Sequence, residues 1–131
     1  MPSENSADKN IPVKVNRPVG EIHSFLEDIK QRGLNCKYIL DVGANITEWS
    51  NMAKVIFPEA VFYLIEPLVE LQSYLDKFCV NSPGSKYFLS GAGSKEEFLE
   101  LTVFDYLPGS NFVISPEEYD NPTYKRREVS L

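Results

Sequence analysis

Histidine and cysteine are scarce in this sequence. Its 131 residues include one histidine, His23, and two cysteines, Cys36 and Cys79. A single imidazole without any Cys-x-x-Cys pair provides no credible ligand set for a metal ion, so we expect no metal site. Two cysteines are also too few for a disulfide framework, which favours free thiols and a cytoplasmic setting.

Positive charge is scarce as well. Lysine and arginine number 13 against 19 aspartate and glutamate residues, which gives a net charge of −6. Nucleic-acid binding needs clustered basic side chains that displace counterions from the phosphates. The basic cluster Lys125-Arg126-Arg127 is short, and we interpret it as a solvated group. The composition therefore predicts no nucleic-acid partner.

Long apolar runs are absent too. No stretch approaches the length of a membrane span, and residues 1–18 lack the continuous apolar core of a signal peptide. Even so, 43% of the chain is hydrophobic and 12% is aromatic, which is typical of a packed domain. We therefore expect residues 1–18 to be a disordered or extended tail and residues 19–131 to form a single domain.

Helical and extended patterns alternate along that domain. Apolar residues recur at helical spacing in three segments, which predicts helices at 22–29, 46–57 and 69–78. Short apolar or alternating runs predict strands at 38–42, 61–65, 86–90 and 98–104, with the last antiparallel to its neighbour. This order predicts an α/β sandwich with right-handed crossovers and a mostly parallel sheet.

Several details of these elements are also predicted. The first strand is nearly continuous in hydrophobicity, as expected for a strand covered on both faces. Asn45 is expected to cap the second helix, with Glu48 as its capping-box partner. Trp49 is expected to face the core. The alternation in the fourth strand puts Thr102 on a wetter face.

Acidic residues follow the first two strands. Asp41-Val42-Gly43-Ala44-Asn45 closes the first, and Glu66-Pro67 closes the second. Ligands of open parallel sheets bind beyond the carboxyl ends of the strands. Gly43 permits a tight turn, and a carboxylate at Glu66 can accept both hydroxyl hydrogens of a ribose. The alternative is that Asp41 and Asn45 only cap the helix while Glu66 is a solvated acid.

The first of these loops distinguishes between nucleoside cofactors. A dinucleotide site carries Gly-x-Gly-x-x-Gly after the first strand, whereas this loop has one glycine, Gly43. The anion of Asp41 would repel a pyrophosphate but suits the ammonium and sulfonium of S-adenosylmethionine. Gly91-Ala92-Gly93 follows a later strand and opens no helix. S-adenosylmethionine is therefore favoured, and a nicotinamide-dependent oxidoreductase is disfavoured.

These motifs resemble those of the FkbM-type methyltransferases. The similar strings are Leu40-Asp41-Val42-Gly43-Ala44-Asn45, Trp49, Phe57-Pro58, Ile65-Glu66-Pro67 and Gly91-Ala92-Gly93-Ser94, within residues 38–115. The resemblance implies a Rossmann-like class I methyltransferase fold that transfers a methyl group from S-adenosylmethionine (class EC 2.1.1). It implies a hydroxyl acceptor on a small molecule or a glycan.

The resemblance also implies roles for individual residues. Asp41, Gly43 and Asn45 would frame the methionine part of the cofactor, Glu66 would hold the ribose and Ala92 would approach the adenine. Ala44 and Pro67 complete the predicted cofactor site.

Two departures from the family pattern affect the expectations. Thr47 stands where the family commonly has a glycine. The chain also ends at Leu131 without the Lys-x-Asp-x-Glu-Gly-type motif of a fourth strand. We therefore expect a domain truncated after its third βα unit, with no catalytic residue identified and with an unpaired first-strand edge that favours self-association. The runner-up function is a non-catalytic module that binds the cofactor or a partner.

Overall fold

The computed structural model describes residues 20–112 and 125–131. The predicted tail, residues 1–18, lies outside them. The described helices are α1 (Ile22–Gln31), α2 (Glu48–Ile56) and α3 (Gln72–Val80). The strands are β1 (Tyr38–Val42), β2 (Val61–Ile65), β3 (Lys86–Phe88), β4 (Phe98–Val103) and β5 (Lys125–Ser130). Short 3₁₀ helices lie at Val69–Leu71 and Leu107–Gly109.

The first three strands form a parallel sheet in the order β1-β2-β3. Tyr38 pairs with Val61 at the start of β1, and Tyr63 pairs with Lys86 across β2 and β3. Helices α2 and α3 make the crossovers that parallel neighbours require. The predicted α/β organisation with a parallel sheet is confirmed. The carboxyl ends of all three strands consequently meet at one edge of the sheet.

The main core lies between one face of this sheet and the helices. Phe62 and Leu64 of β2 are fully buried, together with Ala53 of α2 and Leu75 of α3. The rings of Phe62 and Phe78 meet edge to face, with centroids 5.0 Å apart. Alternation along β2 therefore sends its largest apolar side chains towards the helices.

The opposite face of the sheet is open. Tyr38, Leu40 and Val42 of β1 are 69%, 62% and 56% exposed, and Phe88 of β3 is 50% exposed. We call these four residues the open face. The apolar run of β1 predicted cover on both faces, but in the described part of the chain the helices cover only one. A run of apolar residues cannot show by itself whether a second layer is present.

The last two strands form a separate antiparallel ribbon, in which Phe98 pairs with Ser130 and Val103 with Lys125. The predicted antiparallel orientation of β4 agrees with this pairing. Strand β5 was not predicted, because its sequence is mostly charged and only Val129 is buried. Its strand conformation depends on the hydrogen-bonding partner that β4 supplies.

A second apolar cluster joins the ribbon to the start of α3. It consists of Leu68, Leu71, Leu101, Val103 and Val129. Thr102, which the alternation put on a wetter face, is fully buried. The prediction for this residue is wrong because the ribbon is covered where it meets the loop around Asn111, whose carbonyl accepts the Thr102 amide at 2.9 Å.

Among the described helices, α1 is the longest with 10 residues. None of them has both the length and the apolar content that crossing a membrane requires.

We expect the chain to self-associate as its concentration rises, because the open face is apolar and no described strand pairs with the second edge of β1. Leu40→Lys should shift the mass measured by light scattering towards that of a monomer. Val55→Lys is the matched control, since Val55 is 76% exposed on α2, away from the open face. A wild-type monomer at every concentration, or equal effects of the two variants, would contradict the prediction.

Candidate functional site

The carboxyl ends of the three parallel strands surround a cavity of about 340 Å³, which we call the strand-end cavity. Five residues predicted for the cofactor site line it: Gly43, Asn45, Glu66, Pro67 and Ala92. They come from the loops after β1, β2 and β3, which the parallel register brings to one edge. The ribbon side closes the cavity with Leu101, Leu107, Pro108 and Phe112.

The other two predicted residues lie elsewhere. Ala44 is buried in the main core and lines an adjoining cavity. Asp41 lines neither cavity, because alternation along β1 turns it towards α2. Its Oδ2 accepts a hydrogen bond of 2.5 Å from the hydroxyl of Ser50, which is fully buried. Sequence reasoning missed Ser50, although a hydroxyl early in a helix that follows an acidic strand end was the available signal.

Glu66 connects two of the loops that line the cavity. Its Oε2 accepts the Asn45 backbone N–H at 2.8 Å, and its Oε1 accepts the Leu68 N–H at 3.0 Å. The residue is 4% exposed, so the alternative of a solvated acid is wrong. A carboxylate offers about four lone-pair sites, so both oxygens retain capacity to accept a further hydrogen bond from a ligand.

The loop between β1 and α2 has an unusual backbone. Gly43, Asn45 and Thr47 have φ angles of 82°, 49° and 65°, all in the left-handed region. Glycine adopts this region freely and asparagine tolerates it, but a β-branched residue is strained there. Asn51 stabilises the strained residue, since its Nδ2 donates to the Thr47 hydroxyl at 3.0 Å and to the Thr47 carbonyl at 2.8 Å.

The predicted capping of α2 is wrong. The helix begins at Glu48, and the capping position is Thr47, which makes no side-chain capping bond. Asn45 lies two residues before that position, with its backbone N–H bonded to Glu66. Its side-chain oxygen Oδ1 is buried and accepts no hydrogen bond from the described residues. Because protein atoms cover this oxygen, other atoms of Asn45 line the strand-end cavity.

The glycines after β3 allow close packing. A Cβ on Gly91 would lie 2.4 Å from Cδ2 of Leu131 and 2.9 Å from Cζ of Phe112. A Cβ on Gly93 would lie 2.6 Å from Cδ1 of Leu131. These glycines let the end of the ribbon approach the loop, and this approach holds Ala92 at the wall of the strand-end cavity.

A second cavity of about 830 Å³ adjoins the first, and we call it the aromatic pocket. Gly43, Asn45, Leu107 and Pro108 line both cavities. The aromatic pocket adds three aromatic residues, Trp49, Tyr74 and Tyr106, and three acidic residues, Glu48, Glu70 and Asp105. Trp49 was expected in the core. It is instead 37% exposed and lines this pocket, since it lies in the first turn of α2, before the buried residues Ser50, Ala53 and Ile56.

Glu70 forms a bidentate ion pair with Arg127 of β5. The guanidinium donates to Oε2 at 3.0 Å and to Oε1 at 2.5 Å. This hydrogen bonding lowers the pKa of Glu70 from 4.5 to about 2 and raises that of Arg127. The pair therefore stabilises the fold above about pH 4.5 and is lost as the pH falls towards 2. Arg127 was predicted to be solvated, but the pairing of β5 with β4 brings it to Glu70.

The chain matches no protein-family model, no curated protein and no solved structure. Within residues 20–112 and 125–131, no group of three or more His, Cys, Asp or Glu side chains is arranged to hold a metal ion. The two cavities and their lining residues are therefore the features of the chain that indicate its function.

We expect Thr47→Gly to be more stable than Thr47→Ala. In a helix interior alanine is favoured over glycine by about 1 kcal/mol. At a φ of 65° the order should reverse, because alanine retains the left-handed strain of about 1–2 kcal/mol and glycine does not. Both variants lose the γ-methyl and hydroxyl groups, and glycine also loses the buried Cβ, so a more stable glycine variant would report the backbone strain despite that further loss. Urea unfolding measures it, and an alanine variant of equal or greater stability would contradict the strain assignment.

Proposed function

We propose that the chain is the cofactor-binding part of an S-adenosylmethionine-dependent methyltransferase with a Rossmann-like class I fold. The observation that carries this proposal is the meeting of Gly43, Asn45, Glu66 and Ala92 around one cavity. That cavity lies at the carboxyl ends of parallel strands, where nucleoside cofactors bind in open α/β sheets. The motif resemblance described above supports the same cofactor.

Each lining residue has a chemical role in this proposal. The remaining lone pairs of Glu66 accept the ribose hydroxyl hydrogens. Ala92 and Pro67 supply apolar contact for the adenine, and Gly43 and Asn45 frame the methionine part. Asp41 acts as a positioning residue, because its carboxylate contacts Ser50 of α2 and does not line the cavity.

The proposed reaction is transfer of the methyl group to a hydroxyl of a small molecule or glycan. Such an in-line displacement requires an oriented acceptor and a base within hydrogen-bond reach. Among the described residues that line the strand-end cavity, Glu66 is the one acid, and each of its oxygens already accepts a backbone N–H. We therefore assign no catalytic residue. The free thiols of Cys36 and Cys79 are compatible with the proposed cytoplasmic location.

The second candidate is a non-catalytic module that binds the cofactor or a partner. The exposed apolar open face favours this candidate, and so does the lack of an uncommitted base among those lining residues that the structure describes. A nicotinamide-dependent function is disfavoured, since Gly91 and Gly93 make room for Leu131 and Phe112 and do not cradle a phosphate.

Calorimetry tests the cofactor assignment. We expect S-adenosylhomocysteine to bind and NAD to bind more weakly. Glu66→Ala should weaken the binding of S-adenosylhomocysteine by about 1.5–3 kcal/mol, which is the range for the loss of hydrogen bonds to a charged group. Glu59→Ala is the control, because Glu59 is an exposed acid that lines neither cavity.

The melting temperature of each variant shows whether it is folded. NAD binding that equals or exceeds S-adenosylhomocysteine binding would contradict the proposal, and so would an unchanged affinity in folded Glu66→Ala. Incubation with labelled S-adenosylmethionine and a panel of hydroxylated acceptors separates the two candidates, because only the enzyme transfers the label.

A further inference from the structure

We propose that the aromatic pocket binds an organic ammonium group of a second small molecule, next to the strand-end cavity. Cation binding at the pocket depends only on the residues that line it. The further assignment of this molecule as the methyl acceptor rests on the proposed function.

The charge of the aromatic pocket favours a cation. Its lining includes three carboxylates, and the described residues bring one guanidinium to them, that of Arg127. Nη1 and Nη2 of Arg127 both donate to Glu70, so the charges of Arg127 and Glu70 largely neutralise each other. Glu48 and Asp105 have no ion-pair partner among the described residues. Lys125 also acts electrostatically on Glu70, and the pocket still keeps a net negative charge, which attracts a cationic ligand.

Aromatic side chains supply the second element of cation recognition. Trp49, Tyr74 and Tyr106 are 37%, 47% and 74% exposed, although large aromatic side chains are usually buried. The electron-rich faces of such rings attract ammonium groups, with Trp the strongest. A cavity of about 830 Å³ is within the size range of small-molecule sites. Rings combined with carboxylates suit an ammonium group better than a neutral sugar or an anion.

The two cavities share part of their lining. Gly43, Asn45, Leu107 and Pro108 line both of them, so a ligand in the aromatic pocket extends towards the strand-end cavity. A molecule held by its cationic end among Trp49, Glu48 and Asp105 would present its other end to the cofactor.

The proposed cofactor also carries an ammonium group, which is the alternative occupant of the aromatic pocket. We assign the aromatic pocket to a separate molecule because its volume of about 830 Å³ comes in addition to the 340 Å³ of the strand-end cavity. The experiment below distinguishes the two occupants.

The probe is choline, and its control is 3,3-dimethyl-1-butanol, which has the same shape without the charge. Trp49 is the single tryptophan of the chain, so its fluorescence reports directly on the pocket. We expect choline to change this fluorescence in a saturable manner and to bind at least about tenfold more tightly than the neutral alcohol. The double variant Glu48→Gln, Asp105→Asn should lower the affinity for choline by about tenfold or more. The control variant Glu59→Gln should leave that affinity unchanged.

Saturating S-adenosylhomocysteine should leave choline binding intact. The proposal is overturned if choline does not saturate, if the neutral alcohol binds equally well, or if the double variant keeps its melting temperature and its choline affinity. Displacement of choline by S-adenosylhomocysteine also overturns it, since the pocket would then belong to the cofactor. Choline binding without S-adenosylhomocysteine binding would refute the proposed function alone, so the two failures are distinguishable.

Discussion

The buried carboxylate of Glu66 organises the candidate site. A charge that is 4% exposed is stable only when it is hydrogen-bonded, and here the amides of Asn45 and Leu68 provide those bonds. Because the Asn45 amide is directed to Glu66, the chain between β1 and α2 passes through left-handed conformations at Gly43, Asn45 and Thr47. The helix then starts at Glu48, and Trp49 lines the aromatic pocket.

The two apolar clusters give the site its walls. The main core holds the parallel sheet against the helices, and the second cluster holds the ribbon against the start of α3. The strand-end cavity lies between them, since its lining includes Glu66 from one side and Leu101 from the other. The ion pair of Glu70 with Arg127 and the packing of Leu131 on Gly91 also hold the ribbon against the rest of the domain.

The open face and the candidate site meet at Val42. This residue belongs to the open face, which presents the side chains of β1 and β3 that point away from the helices, and it also lines the strand-end cavity. A partner on the open face would therefore lie next to the strand-end cavity.

Local sequence patterns alone determined the helices, the parallel strands and the positions that approach the cavity. Apolar periodicity depends on near neighbours, and the residues after parallel strands must meet at one edge whatever lies between them. Only the tertiary structure decided where Asp41, Trp49 and Arg127 point. Asp41 meets Ser50, Trp49 faces the aromatic pocket and Arg127 binds Glu70. Each of these outcomes depends on a residue or a loop from another element. A periodic pattern carries no information about such contacts, because they arise from the packing of segments that are distant in the chain.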